Sequence, residues 1–197
     1  DLMRHYLSTL QEIRLLGLKD LPFCWGEIEE CGKDPLENAR QKALAYYRIC
    51  GQPVFSQDSG LYIEGLPKER QPGVHVRRVN GVNLTDEQMR KYYKKIAAEF
   101  GGRCVAQYQN AICLVFSENE IYEARGGALN WKKFWLMTEE RPQRMEGFPL
   151  DAICADYRTG RHFYDGEATM PEEEGDGVRD FFRNALKQHE MRNKIEK

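Results

Sequence analysis

Apolar residues recur at two spacings along this chain, and the switches between them mark its elements. Leu2, Met3, Tyr6, Leu7 and Leu10 recur at helical spacing, so 2–10 reads as the end of a helix. Ile13 to Leu18 reads as a strand, and 24–34 as a loop rich in Glu and Gly. A strong helix start follows, with Asp34 as N-cap, Pro35 at the first helical position and Glu37 at the third, a capping-box pattern. Leu36, Ala39, Ala43, Tyr46, Tyr47 and Cys50 give this helix its apolar face, while Asn38 and Lys42 share another face. Gly51 ends it, and Pro53 to Ser56 forms a strand that runs into Gln57-Asp58-Ser59-Gly60-Leu61.

Residues 65–83 read as a loop with Pro67, Pro72, Gly73, Gly81 and the basic pair Arg77-Arg78. Thr85 and Gln88 cap a second helix whose stripe is Met89, Tyr92, Tyr93, Ile96, Ala97 and Phe100, and Gly101-Gly102 stops it. A long strand over 103–116 pairs with 120–126 across a turn at 117–119, and 152–157 pairs with 161–165 across Thr159-Gly160. Residues 166–177 form an acidic loop, a last helix covers Val178 to Met191, and 192–197 is a charged, frayed tail. Helices alternating with strands early, then hairpins, predict an α/β fold: a mixed central sheet with flanking helices and a smaller antiparallel lobe, with a ligand cleft between the lobes. We expect one domain over 1–197. A first residue of Asp1 rather than Met suggests a processed product or a piece of a longer polypeptide.

Composition narrows the partners. The 197 residues are 41% hydrophobic and 30% charged, with net charge −2. No global positive field recruits a nucleic acid polymer, so an anionic ligand needs local basic groups and a cation. No apolar run approaches the ~20 residues of a membrane span, and no signal-peptide pattern opens the chain. The six cysteines, Cys24, Cys31, Cys50, Cys104, Cys113 and Cys154, include no C-x-x-C pair and no zinc-finger spacing. They read as reduced thiols of a cytoplasmic protein, three of them in apolar strands.

Asp58 closes a short apolar strand, a position where open α/β sheets place chemistry. It is either a turn-forming Asp before Ser59-Gly60 or a group that binds Mg²⁺ or orients a water. Glu27, Glu29 and Glu30 are a solvated acidic loop, or one of them joins Asp58 on a metal. Lys42 is an exposed helix lysine or a point charge on a phosphate, and Arg77 and Arg78 offer the same. Gly147 to Asp151 carries Phe148, a core residue or a base-stacking aromatic. The four histidines form no ligand spacing, and no Walker A, G-x-G-x-x-G or G-x-S-x-G motif is present.

Four segments in order resemble the inosine triphosphate pyrophosphatase family. Glu37-Asn38-Ala39-Arg40-Gln41-Lys42-Ala43 resembles its E-N-A-x-x-K-A helix, and Gln57-Asp58-Ser59-Gly60-Leu61 its D-D-S-G-L strand end. Pro72 to Arg78 resembles its P-G-x-x-(S)-x-R loop, and Gly147 to Asp151 stands where the family has G-F-G-Y-D. The resemblance implies a homodimeric enzyme that hydrolyses a nucleoside triphosphate to monophosphate and pyrophosphate with Mg²⁺. It implies Asp58 as catalytic carboxylate and metal ligand, Glu30 as second metal ligand, and Lys42, Arg77 and Arg78 on phosphate. Ser59, Gly60, Phe148 and Asp151 would face the substrate.

The chain also departs from the family. This sequence begins after the point where the family has its S/T-x-N-x-x-K loop, Gln57 stands for one acid of D-D-S-G, and Leu150 for the aromatic before Asp151. Asp180-Phe181-Phe182 occupies the register of S-H-R, and Gly175 lies near the place of a lysine. Those residues help read a 6-oxo purine. Two rival readings therefore stand beside the first: a nucleotide-binding module that has lost turnover, and a Maf-type pyrophosphatase.

Overall fold

The computed structural model describes residues 2–10, 13–22, 26, 28–166 and 175–195. Cys24, Glu27 and most of the 166–177 loop fall outside them. The elements are α1 (Leu2–Leu7), α2 (Pro35–Cys50), β1 (Val54–Ile63), β2 (Arg78–Val79), β3 (Val82–Asn83), α3 (Asp86–Glu99), β4 (Arg103–Ser117), β5 (Glu120–Arg125), β6 (Phe134–Met137), β7 (Cys154–Asp156) and α4 (Asp176–Ile195). The fold is mixed α/β. The main sheet has the order β1-β4-β6-β7 with β5 also on β4, and the ladders β4–β5, β4–β6 and β6–β7 are antiparallel. None of the described helices is long and apolar enough to cross a membrane. The chain divides into two compact units: Asp1–Asp58 with Asn110–Asn130 and Pro171–Lys197, and Ser59–Gln109 with Trp131–Met170.

The described residues of the first unit form two apolar clusters. Tyr6, Leu7 and Leu10 pack with Ile112 and Leu114 of β4 and with Val178, Phe182 and Ala185 of α4. Phe182 meets Phe55 edge-on at 5.0 Å, so the residue in the S-H-R register is a core residue here. Gly177 is required by close approach, because a Cβ there would lie 2.3 Å from the Ala128 carbonyl oxygen. The second cluster joins Ala39 and Ala43 of α2 to Cys113 and Val115 of β4. Two alanines four apart let the helix lie close on the strand, and Asn38 and Lys42 form the adjoining row.

The second unit packs α3 on one face of its strands. Cys104 and Ala106 of β4, Phe134 and Leu136 of β6, and Cys154 of β7 point inward, where they meet Met89, Tyr93, Ile96 and Ala97. Thr85 and Gln88 form a reciprocal capping box at the start of α3. Burial raises the thiol pKa of Cys104 to about 11, and in the first unit that of Cys113 to about 12. These are free thiols, as the sequence predicts.

Several expected elements differ. Ile13 to Gly17 is irregular rather than a strand; Ile13 and Leu15 bury themselves against the first cluster without a strand partner. The 65–83 loop contains the small β2–β3 hairpin, closed by Asn80 at φ 50° and Gly81 at φ 81°. The 152–165 hairpin reduces to one bridge between Ala155 and His162, because β7 pairs with β6, a strand the sequence pattern did not single out. Phe100 leaves the α3 stripe at the helix end and is exposed.

Candidate active site

The first unit gathers Glu30, Asn38, Lys42 and Asp58. Its construction begins with the α2 cap. The Asp34 side chain accepts from the backbone N–H of Leu36 and Glu37. Glu37 does not close the expected box on Asp34; its Oε2 instead accepts from Lys33 N–H at 2.7 Å. Asn38 Oδ1 accepts from Gly32 N–H at 2.9 Å and Gln41 Oε1 from Cys31 N–H at 3.4 Å. Three side chains of one helix thus hold the backbone of 31–33, and that loop delivers Glu30. Gly32 has no room for a side chain, since a Cβ would sit 2.5 Å from Asn38 Oδ1.

Lys42 is the centre. Its Nζ lies 2.9 Å from Asp58 Oδ1 and 3.1 Å from Glu30 Oε1. The Lys42 and Asp58 side chains are only 18% and 14% exposed, against 41% for Glu30. Asn38 Nδ2 donates to Asp58 Oδ2 at 3.1 Å, so each oxygen of this carboxylate has a partner. Burial pulls the Lys42 pKa down, but the hydrogen bonds and charges of Asp58 and then Glu30 outweigh it, and the pKa lies above the ordinary lysine value. Lys42 is therefore a fixed cation and not a base. Two carboxylates against one ammonium leave the cluster net negative. That oxygen-only donor set fits a hard divalent cation, for which one or two protein carboxylates suffice when water and phosphate complete the shell. Among the described residues no group of three or more acidic, His or Cys side chains converges for a metal.

Asp58 is not at a strand end. β1 continues to Ile63, and Asp58 is its fifth residue. Ser59-Gly60 does not turn, because the chain stays extended beside Gly73: Leu61 and Gly73 exchange two backbone hydrogen bonds of 2.9 and 3.0 Å. A Cβ on Gly60 would lie 3.0 Å from the Gly73 carbonyl carbon, so this glycine serves close approach. Asn38 is the site residue that sequence reasoning left without a role. The signal in the sequence was its place four residues before Lys42 on one helix face; its burial is a finding of the structure.

The remaining candidates belong to the second unit. Ser59 and Gly60 continue β1. Arg77 donates to the Leu84 carbonyl at 3.0 Å and pairs with Asp86 at 2.7 Å, so it is tied locally to the start of α3. Arg78 is exposed on β2. Tyr93 donates to the Val76 carbonyl at 2.9 Å and anchors the 72–78 loop on α3. Phe148 is half exposed rather than a core residue, and Asp151 opens the short turn Asp151–Ile153. Burial raises the Asp151 pKa to about 6. Glu29 is exposed.

A model of the Ham1 family matches residues 3–130. The chain belongs to the Ham1 family. It is similar to dITP/XTP pyrophosphatases of Geobacter sulfurreducens (42% identical over 73 residues, 37% of this chain and 35% of that protein) and Coxiella burnetii (34% over 119 residues, 58% of each). That of Prochlorococcus marinus NATL1A is 32% identical over 130 residues, 64% of this chain and 59% of the relative. The matches thus span from about a third to three fifths of these relatives' length. The Ham1 fold extends further along the chain. The Staphylococcus aureus Ham1 protein superposes with TM-score 0.59 at 22% identity, over 98% of this chain and 93% of that one. A Mycobacterium abscessus nucleoside-triphosphatase / dITP/XTP pyrophosphatase gives TM-score 0.62 at 24% identity, over 94% and 89%. At these identities the likeness is one of fold.

Proposed function

We propose that this Ham1 chain is a Mg²⁺-dependent nucleoside triphosphate pyrophosphatase acting on deaminated purine nucleotides such as dITP and XTP. The observation that carries the reading is the Lys42 ammonium held between the Asp58 and Glu30 carboxylates, with Asn38 locking Asp58. Asp58 and Glu30 would hold the cation, which when bound offsets charge on the triphosphate. Asp58 orients a water toward the α-phosphorus and accepts its proton on a carboxylate oxygen. The water oxygen bonds to that phosphorus, the bridging α–β bond breaks, and pyrophosphate departs. Lys42, kept protonated, stabilises charge on the phosphate oxygens, so the chain contributes positioned charge and no covalent step. Ser59, Gly60, Phe148 and Asp151, with Arg77 and Arg78 on phosphate, complete the substrate contacts in this reading. A cytoplasmic homodimer follows from the same resemblance, and sedimentation of the full-length protein measures its assembly.

The test is an assay of the full-length protein with dITP, XTP and the four standard triphosphates plus Mg²⁺, reading pyrophosphate. Release of pyrophosphate at least tenfold faster from dITP or XTP supports the proposal; orthophosphate alone, or no turnover, sinks it. One observation favours a second reading. Gln57 stands where the family has the first acid of D-D-S-G, and its Oε1 is buried without a hydrogen bond among the described residues. An amide cannot act as a base, so a module that binds nucleotide without hydrolysis is the alternative; tight binding of Mg-dITP with no pyrophosphate would support it.

A further inference from the structure

The second unit carries a cleft that the chemistry at Lys42 does not use. Its lining is Glu87, Arg90, Lys91, Lys94, Lys95 and Ala98 of α3 together with Thr138, Glu140 and Arg144, around a volume of about 620 Å³. Five cations face two carboxylates there, on a chain whose net charge is −2. Glu140 is already crowded: it accepts from Arg90 Nε at 2.8 Å, Lys94 Nζ at 3.0 Å and Arg144 at 2.6 Å. The Arg90 side chain is only 12% exposed. It reaches Glu140 through Nε, and no hydrogen bond engages its terminal nitrogens among the described residues. Lys91 and Lys95 stand exposed one turn apart, with no ion pair among the described residues. Glu140 offsets the like-charged i,i+4 pair Arg90/Lys94, and Lys91/Lys95 is a second such pair, beside Glu87.

We propose that this cleft binds a small anion bearing two or more phosphate groups, with Arg90 as the preset guanidinium fork and Lys91, Lys94, Lys95 and Arg144 as point charges around it. A guanidinium held in place suits bidentate contact with phosphate oxygens, and lysines supply undirected charge. The volume matches a nucleotide-sized or smaller ligand rather than a polymer. The inference does not rest on the hydrolytic reading of Lys42.

Inorganic pyrophosphate is the probe, titrated calorimetrically into full-length protein carrying Lys42→Met, which removes the cation of the other cluster. Binding should persist in that background and weaken at least tenfold when Lys91→Glu and Lys95→Glu are added, with the circular dichroism of a folded chain retained. A parallel titration with a non-hydrolysable nucleoside triphosphate tells free pyrophosphate from a nucleotide's phosphate chain, by which binds more tightly. Should Lys42→Met not fold, the two glutamates are placed in the otherwise unchanged chain, and loss of pyrophosphate-induced shifts at the Arg90 and Lys94 amides is read by NMR. Equal pyrophosphate affinity with and without the glutamates, sulfate binding as tight as pyrophosphate, or a single-stranded oligonucleotide binding where pyrophosphate does not would each overturn the proposal.

Discussion

Two charge clusters in this chain are built on opposite stoichiometry. In the first unit one ammonium, Lys42, serves two carboxylates; in the second, one carboxylate, Glu140, serves three cations. Each central group is the shared counter-ion that lets its like-charged neighbours stand close. Removing it would leave unpaired charge in a partly desolvated place. The excess then decides what is recruited: the Lys42 cluster is net negative and suits a divalent cation, and the Glu140 cluster is net positive and suits an anion. A strongly basic cleft on a chain of net charge −2 is thus a matter of local recruitment, which the net charge conceals.

The sharpest way to break the comparison is Asp58→Asn. The amide keeps the shape and an acceptor for Lys42 but removes one of the two negative charges and the proton acceptor. Pyrophosphate release should fall at least ~100-fold, and the urea midpoint should drop modestly, because the new Nδ2 donor faces Asn38 Nδ2, itself a donor. Retained activity would mean that Asp58 is only a partner holding Lys42, and that the cluster's negative excess is not used.

Asn38→Ala comes next. It strands Gly32 N–H and Asp58 Oδ2, both paired by one buried amide. A loss of about 2 kcal/mol of stability is expected, from two orphaned polar groups. Because the 31–33 loop also hangs on Glu37 and Gln41, Glu30 should stay near Lys42, and turnover should fall less than with Asp58→Asn. Chemical denaturation and the pyrophosphate assay on one preparation separate these effects. A variant as stable as the parent would mean that water replaces the amide.

These side chains show what the sequence could disclose. Glu37, Asn38 and Lys42 read as a capped helix face, and that face carries the candidate site; the helix period and the cap are both local signals. Asp58 was found for the wrong geometric reason, since Ser59-Gly60 reads as a turn until Gly73 is known to lie against it, a contact between residues 13 apart in sequence. β6 was missed because Phe134 to Met137 is four residues long and alternates only twice, and its register with β4 and β7 is a tertiary fact. The basic cleft was invisible for a similar reason. Arg90, Lys91, Lys94 and Lys95 lie off the apolar stripe of α3, and only the meeting of α3 with Glu140 and Arg144 gives that face a wall.

Glu140→Gln tests the other half of the comparison. An amide still accepts one hydrogen bond but cannot balance Arg90, Lys94 and Arg144. A loss of about 1 kcal/mol at neutral pH is expected. Burial works to raise the Glu140 pKa, but Lys94 and then Arg90 outweigh it and hold it below the ordinary glutamate value. Its contribution is therefore present above the unfolded-state pKa and lost as pH falls through the lower folded value. The deficit of the variant should shrink in acid, and pyrophosphate should recover part of it at pH 7. A deficit that persists unchanged at low pH would show that packing, and not charge, holds Glu140.

Asp151 supplies the control that neither cluster contains: a partly buried carboxylate whose pKa burial raises to about 6, with no cation among the causes. Its folded-state pKa exceeds the unfolded value of about 3.9, so between those limits the folded chain holds a proton that the unfolded chain has released. Stability owed to this residue must then fall as pH rises from about 4 to about 6 and stay flat above. That is opposite in sign to Glu140. Asp151→Asn, which cannot ionise, should gain stability relative to the parent across that window and keep the gain at pH 7. Because Asp151 is partly exposed, screening by water makes this the smallest of the four effects. Urea midpoints of both proteins at pH 4, 5, 6 and 7 measure it. A difference that stays constant or narrows as pH rises would mean that a cation serves Asp151 after all, making it a third charge cluster instead of the unpaired reference.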